Sequence, residues 1–218
     1  DIEDALMIGV GGSDAMDYHA LESLQCMVER RRGGETGVRA VQLIDGDEVW
    51  RAGQDGRWSR RLLDGALARS DSRSGIALTD GRPQDLAHSD ELEELVENPA
   101  AYFIDYNDGF RATLLMLNGA VKDSTFAAKL KGVPEVQSIQ FLCPGQPNVV
   151  YSACLMNKVE EMIVSGQAPY PVERTLLVSG TLERCLESRL NDHCRLETPE
   201  LNVSYQAPEA SHFCGALE

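Results

Sequence analysis

Ala101-Tyr102-Phe103-Ile104-Asp105-Tyr106, then Asn107-Asp108-Gly109, then Phe110-Arg111-Ala112-Thr113-Leu114-Leu115-Met116-Leu117 is the stretch that decides the fold class. Two runs rich in aromatic and aliphatic residues flank an Asp-Gly pair, and Gly accepts the positive φ that tight hairpin turns need. The stretch therefore reads as two antiparallel strands. Downstream, Asn118-Gly119 predicts a second reversal into Val121 to Leu130, and Glu135 to Cys143 supplies a further strand. Four strands in succession imply an antiparallel meander.

Helices surround this strand region. Upstream, an apolar run Ala5 to Val10 enters Gly11-Gly12, and Ser13 or Asp14 is placed to cap a helix. Ala20, Leu21, Leu24, Met27 and Val28 form its apolar stripe, and Gly33-Gly34 stops it after Arg32. Val38 to Ile44 reads as a strand closed by Asp45-Gly46-Asp47, and Glu48 to Ala68 as mostly helical. Residues 70–98 are rich in Ser, Asp, Arg and Gly and read as a polar loop or insertion, with a short acidic helix over Asp90 to Val96. After the strands, a helix from about Asn148 to Val164 ends at Ser165-Gly166. Tyr170-Pro171-Val172-Glu173 opens a long helix to about Leu190, and Leu196 to Tyr205 supplies an edge strand. The expected class is α+β, a single domain over 1–218 with an open antiparallel sheet and helices packed on one face.

Composition narrows the partners. The 218 residues are 43% hydrophobic and 25% charged, with a net charge of −15, a globular composition that repels phosphate backbones and anionic lipid heads. No nucleic-acid or membrane partner is expected. Arg30-Arg31-Arg32 falls in the last turn of the first helix, where cations complement the dipole, and reads as a solvated cap. No apolar run reaches the roughly 18 residues a span needs, and the acidic start is not a signal peptide, so the expected location is cytoplasmic. The cysteines, Cys26, Cys143, Cys154, Cys185, Cys194 and Cys214, contain no C-x-x-C pair and read as free thiols. His193-Cys194 with His212 and Cys214 has zinc-compatible residue types but the spacing of no common finger, so no metal site is assigned.

The candidate chemistry lies in the first helix. His19 and Glu22 are one turn apart and share a face, near an N-terminus whose partial positive charge favours neutral imidazole and ionised carboxylate. They are the candidate catalytic pair, a base or hydrogen-bond partner with an orienting carboxylate. Asp17, Tyr18, Gly11 and Gly12 are the candidate substrate-binding residues beside them. A dinucleotide loop is not expected at Ile8-Gly9-Val10-Gly11-Gly12-Ser13-Asp14, because Asp14 stands where a third Gly is needed.

The order of elements, and wording at three places, resembles the C-terminal domain of the glucose–fructose oxidoreductase/inositol dehydrogenase family of nicotinamide-dependent sugar oxidoreductases. The places are the double glycine and helix bearing His19 and Glu22, the Tyr106-Asn107-Asp108-Gly109-Phe110 turn, and Ser165-Gly166-Gln167-Ala168-Pro169-Tyr170-Pro171 before the last long helix. The family motif is D-x-G-x-H-x-x-D; His19 matches, while Ala15, Asp17 and Glu22 stand at its other positions. The resemblance covers about residues 5 to 205. It implies a substrate-binding and oligomerising half that acts on a sugar or polyol. NAD or NADP would then be held by an upstream nucleotide-binding domain rather than by this chain. An alternative is a non-enzymatic binding or assembly module of the same fold. In either case, a homodimer or tetramer through the open sheet face is expected, because Phe110 to Leu117 is too apolar to leave wet.

Overall fold

The computed structural model describes residues 1–11, 13–73, 86, 91–142 and 149–209. The elements run β1 (Ile2–Gly9), α1 (Ser13–Val28), β2 (Val38–Asp45), α2 (Asp47–Gln54), α3 (Arg60–Leu67), α4 (Glu91–Leu95), β3 (Ala100–Tyr106), β4 (Arg111–Met116), β5 (Thr125–Leu130), β6 (Gln137–Gln140), α5 (Val149–Ser165), α6 (Val172–Leu190) and β7 (Leu196–Glu197). The chain is α+β, built on one mixed seven-stranded sheet of order β6-β5-β1-β4-β3-β2-β7.

The expected hairpin forms as β3 and β4, with Phe103 opposite Thr113 and Asp105 opposite Arg111. Gly109 has a φ of 85°, the left-handed value the turn requires. The meander does not continue. β1 inserts between β4 and β5: the chain leaving β4 passes β1, β5 pairs antiparallel with the far side of β1, and β1 lies parallel to β4, with Ala5 beside Ala112 and Ile8 beside Leu115. The physical reason lies in β1 itself. Ala5, Leu6, Met7 and Ile8 are at most 1% exposed, and a strand apolar on both faces is stable only at the centre of a sheet with both faces covered.

Both faces are indeed covered, which corrects the expectation of helices on one side only. α1 and α6 pack on the face carrying Met7, Leu43, Tyr102 and Leu114. α2, α3 and α4 pack on the face carrying Leu6, Ile8, Ala101 and Leu115. Each fully buried leucine or isoleucine here contributes about 1.5–3 kcal/mol. The apolar run of β4 is therefore accounted for inside the chain, and its Ala112 to Leu117 offers no face for a partner.

Two helix boundaries also differ from the sequence expectation. The 48–68 run breaks into α2 and α3 at Asp55-Gly56, where Gly56 has a φ of 74°. Ser59 then caps α3 by accepting the Leu62 amide at 3.2 Å. α1 ends at Val28, before the arginine run. Arg31, only 4% exposed, is not a solvated cap: it turns inward to pair with Glu35 at 3.0 Å and Asp108 at 2.7 Å, its guanidinium stacked 4.4 Å from the Tyr106 ring. Beyond β7 the chain makes a short 3-10 turn at Pro199–Leu201 and returns to bridge Glu35 through Tyr205. Most of the 70–98 segment, Gly12, Cys143, His212 and Cys214 lie outside the described residues.

Candidate functional site

β1 ends at Gly9 and the chain turns at Gly11 into α1. Gly11 has a φ of 119°, and a Cβ there would stand 2.4 Å from the Cβ of Met16, so the turn admits only glycine. Leu117 extends the parallel pairing by donating its amide to the Gly9 carbonyl at 3.0 Å. Asn118 then locks the two strand ends: its Oδ1 accepts the Gly11 amide at 2.6 Å and its Nδ2 donates to the Gly11 carbonyl at 2.8 Å. This clamp joins the carboxyl ends of the parallel pair, the position at which α/β sheets commonly place ligands. Asn118 was legible in sequence only as part of a turn.

The Gly11 amide is spent on Asn118 rather than aimed at a pyrophosphate, and Asp14 adds a carboxylate to the first turn of α1.

α1 sends its candidate residues in three directions. Asp17 faces the sheet with Ala20, Leu21 and Leu24, 7% exposed, and accepts a 2.7 Å hydrogen bond from the Tyr102 hydroxyl. Burial raises the Asp17 carboxyl above its ordinary pKa, against the opposing pull of Tyr102. Burial also holds the Tyr102 hydroxyl protonated, reinforced by its bond to Asp17. Tyr18 and Glu22, four residues apart and half-buried, line the seam between α1 and α6 with Cys26. The Tyr18 hydroxyl is raised first by burial and then by the Glu22 charge, and it reaches Ser179 and Thr175 on α6. His19 points outward with Met16, exposed, its ring edge-on to Tyr18 at 5.9 Å. The imidazole makes no hydrogen bond among the described residues.

The structure therefore brings His19, Tyr18 and Glu22 onto adjoining sides of one helix, and it separates Asp17 from them. Asp17 is packed under the sheet and cannot touch a ligand that touches His19. Gly11 serves the turn, and Gly12 lies outside the described residues. Neither of the two concavities described for the molecule is lined by these residues. Chemically, the set offers an unengaged imidazole with a carboxylate one turn on, enough to hydrogen-bond a ligand hydroxyl or exchange its proton.

Sequence reading missed a buried polar network at and just beyond the C-terminal end of the same helix. Glu29 accepts from Arg174 at 2.8 Å and from the Tyr205 hydroxyl at 2.7 Å. Gln25 donates to Glu35 at 2.5 Å and accepts from the Tyr106 hydroxyl at 2.9 Å. Glu35 also accepts the Thr36 and Gly37 amides at 2.8 and 2.7 Å. Every charge in it has a partner, so it ties α1, α6, the hairpin turn and Tyr205 together and leaves no group for catalysis. Of the described thiols, Cys26 is half-buried, Cys185 buried and Cys194 exposed, and these three are free; Cys154 is half-buried. Burial pushes the Cys185 thiol up, which makes it inert. His193 holds the Leu43 carbonyl at 3.0 Å through Nδ1, and no cluster of three metal-ligating side chains occurs among the described residues. No helix among them is long and apolar enough to cross a membrane.

Neither the protein-family models nor the curated proteins compared with this chain match it.

Proposed function

We propose that this chain is the substrate-binding and oligomerising half of a nicotinamide-dependent oxidoreductase-like protein that acts on a sugar or polyol, as its resemblance to the glucose–fructose oxidoreductase/inositol dehydrogenase family implies. NAD or NADP would be held by a nucleotide-binding half, a division supported by the Gly11 amide being bonded to Asn118 and by the Asp14 carboxylate in the first turn of α1. The observation that carries the reading is the free, exposed imidazole of His19 on the helix that leaves the clamped ends of β1 and β4. His19 binds a substrate hydroxyl or relays its proton, and Glu22, with Tyr18, orients the ring from the seam.

The test is turnover of a panel of polyols by the protein carrying both halves. His19→Ala lowers kcat by roughly 10²–10⁴-fold if the imidazole is a general base. The circular dichroism spectrum stays unchanged, because an exposed side chain is removed. Wild-type turnover in the folded variant overturns the assignment.

A second reading, an assembly module without catalysis, is favoured by α5. Tyr151, Leu155, Met156, Met162 and Ile163 are exposed by 39–72%, and their spacing places them with Val159 on one side of the helix. Nothing among the described residues covers that stripe, and a second copy of the chain is the occupant in this reading.

A further inference from the structure

The helices on the α2/α3 face cover only one end of the sheet. Toward the other end, the α2–α3 turn arches over the strands and leaves a cavity of about 290 Å³ lined by Asp4, Gln42, Arg57, Phe103, Arg111 and Thr113, among others. The volume is at the small end for ligand pockets, which run from roughly 300 Å³ upward. Pairing brings these residues together from distant parts of the chain. Thr113 lies opposite Phe103, Phe103 opposite Gln42, and Arg111 sits between Asp4 on β1 and Asp105 on β3.

Three features of the lining are unspent. Arg111 makes no hydrogen bond or ion pair among the described residues, although a guanidinium carries five donors. Thr113 is 6% exposed, and its hydroxyl, which lines the cavity, has no hydrogen-bond partner among the described residues. Arg57 gives one N–H to the Gln42 Oε1 at 2.6 Å and lies 4.1 Å over the Phe103 ring, which holds it in place with its other donors free. The third arginine at the rim, Arg195, is by contrast committed to Asp105 at 2.7 Å and to Glu197. Asp4, half-buried, has only the Ala5 amide as a hydrogen-bond donor, and its charge is faced by Arg111 and Lys129.

We infer that this cavity binds a small carboxylate that also carries a hydrogen-bond donor, a hydroxy acid or an amino acid. The carboxylate fits between Arg57 and Arg111, whose planar guanidinium groups take it bidentately. The donor reaches Asp4, the Thr113 hydroxyl serves either end, and the Phe103 ring packs on the carbon body. With Asp105 neutralised by Arg195, the lining carries one net positive charge, a local attractor on a chain of net charge −15. The cavity opens on the face of the sheet opposite α1, so this inference stands or falls independently of His19.

The test is an amide and arginine Nε–H NMR titration of the full chain with lactate, alanine, propionate and sulfate. Lactate or alanine shifts Gly56, Arg57, Arg111 and Thr113 saturably, with a Kd of roughly millimolar for so few atoms. Whichever of the two binds more tightly identifies the donor as hydroxyl or ammonium. Propionate, which lacks the donor, binds about tenfold more weakly, equivalent to 1.4 kcal/mol. Arg111→Gln, a change at an exposed position, weakens lactate and alanine by about tenfold or more with the rest of the spectrum unchanged. Asp4→Asn closes the gap between lactate and propionate. Three results overturn the inference: no saturable shift with any probe, equal binding of all four probes, or loss of a self-associated species in Arg111→Gln, which would make this surface an interface between copies.

Discussion

Asp17 and Tyr18 are neighbours in sequence and unrelated in role, because a helix turns about 100° per residue. Asp17 is committed to Tyr102 inside the core, and its raised pKa has a consequence for stability. A carboxyl held up by burial binds its proton more tightly in the folded than in the unfolded chain. The stability that Asp17 contributes is therefore greatest below the unfolded value of 3.8 and falls as pH rises from there through the raised folded value. Asp17→Asn removes the titration while keeping an acceptor for the Tyr102 hydroxyl. Urea unfolding across this range shows a shallower pH slope in the variant and greater stability than wild type at neutral pH; a less stable variant there would mean that the charge-assisted bond from Tyr102 outweighs the desolvation. At this scale, spacing alone puts His19 and Glu22 one helical turn apart, and the sequence reading groups Tyr18 and Asp17 with them. It placed Asp17 wrongly with them, because the direction of the sheet from α1 was not in the local pattern. Arg31 was misread for a similar reason: three arginines after a helix look alike until Glu35 and Asp108 are folded against one of them.

The elements were mostly legible, and their neighbours were not. The β3–β4 hairpin follows from Asp108-Gly109, and α6 from Pro171 and its apolar face, both local signals. The partner of β5 is a long-range choice, made because β1 needs a strand on each side. The same reasoning separates the helices by stability. α6 buries Leu177, Val178, Leu182 and Cys185 against the sheet, whereas α5 is exposed along most of its length. Isolated helices of this size are marginal without tertiary packing. In dilute protein, α5 amides therefore exchange with solvent well before those of α6, β3 and β4, as hydrogen-exchange mass spectrometry resolves by segment. Equal protection of α5 and α6 at high dilution would show that packing unseen in the single chain already supports α5.

For the whole molecule, charge and exposed apolar surface act against each other. A net charge of −15 keeps copies apart at low ionic strength, but α5 carries only Lys158, Glu160 and Glu161 beside its stripe, so self-association through α5 meets little local repulsion. Expected behaviour is a dimer or tetramer whose population rises with protein concentration and with salt, as screening removes the long-range term. Leu155→Glu puts a charge in the centre of the stripe and should give monomer at concentrations where the wild type associates, with no loss of fold, since Leu155 is 60% exposed. Sedimentation velocity on the two proteins decides it; an unchanged distribution removes α5 from the interface. The sheet face first expected to carry association is no longer available, because α2, α3 and α4 bury β4 from that side.

The sequence by itself determined the α+β class, the hairpin, most helix positions, the acidic composition and the placing of His19, Tyr18 and Glu22 on one helix. Each depends on periodicity, turn chemistry or composition, which act over a few residues. Tertiary structure alone decided that β1 is central and parallel to β4, that both sheet faces are covered, and that Arg31 and Asp17 are buried. It also brought Asp4, Arg57, Arg111 and Thr113 around one cavity from three separate segments. These outcomes turn on which surfaces exclude water from one another, a property of pairs of elements that no single stretch of chain carries.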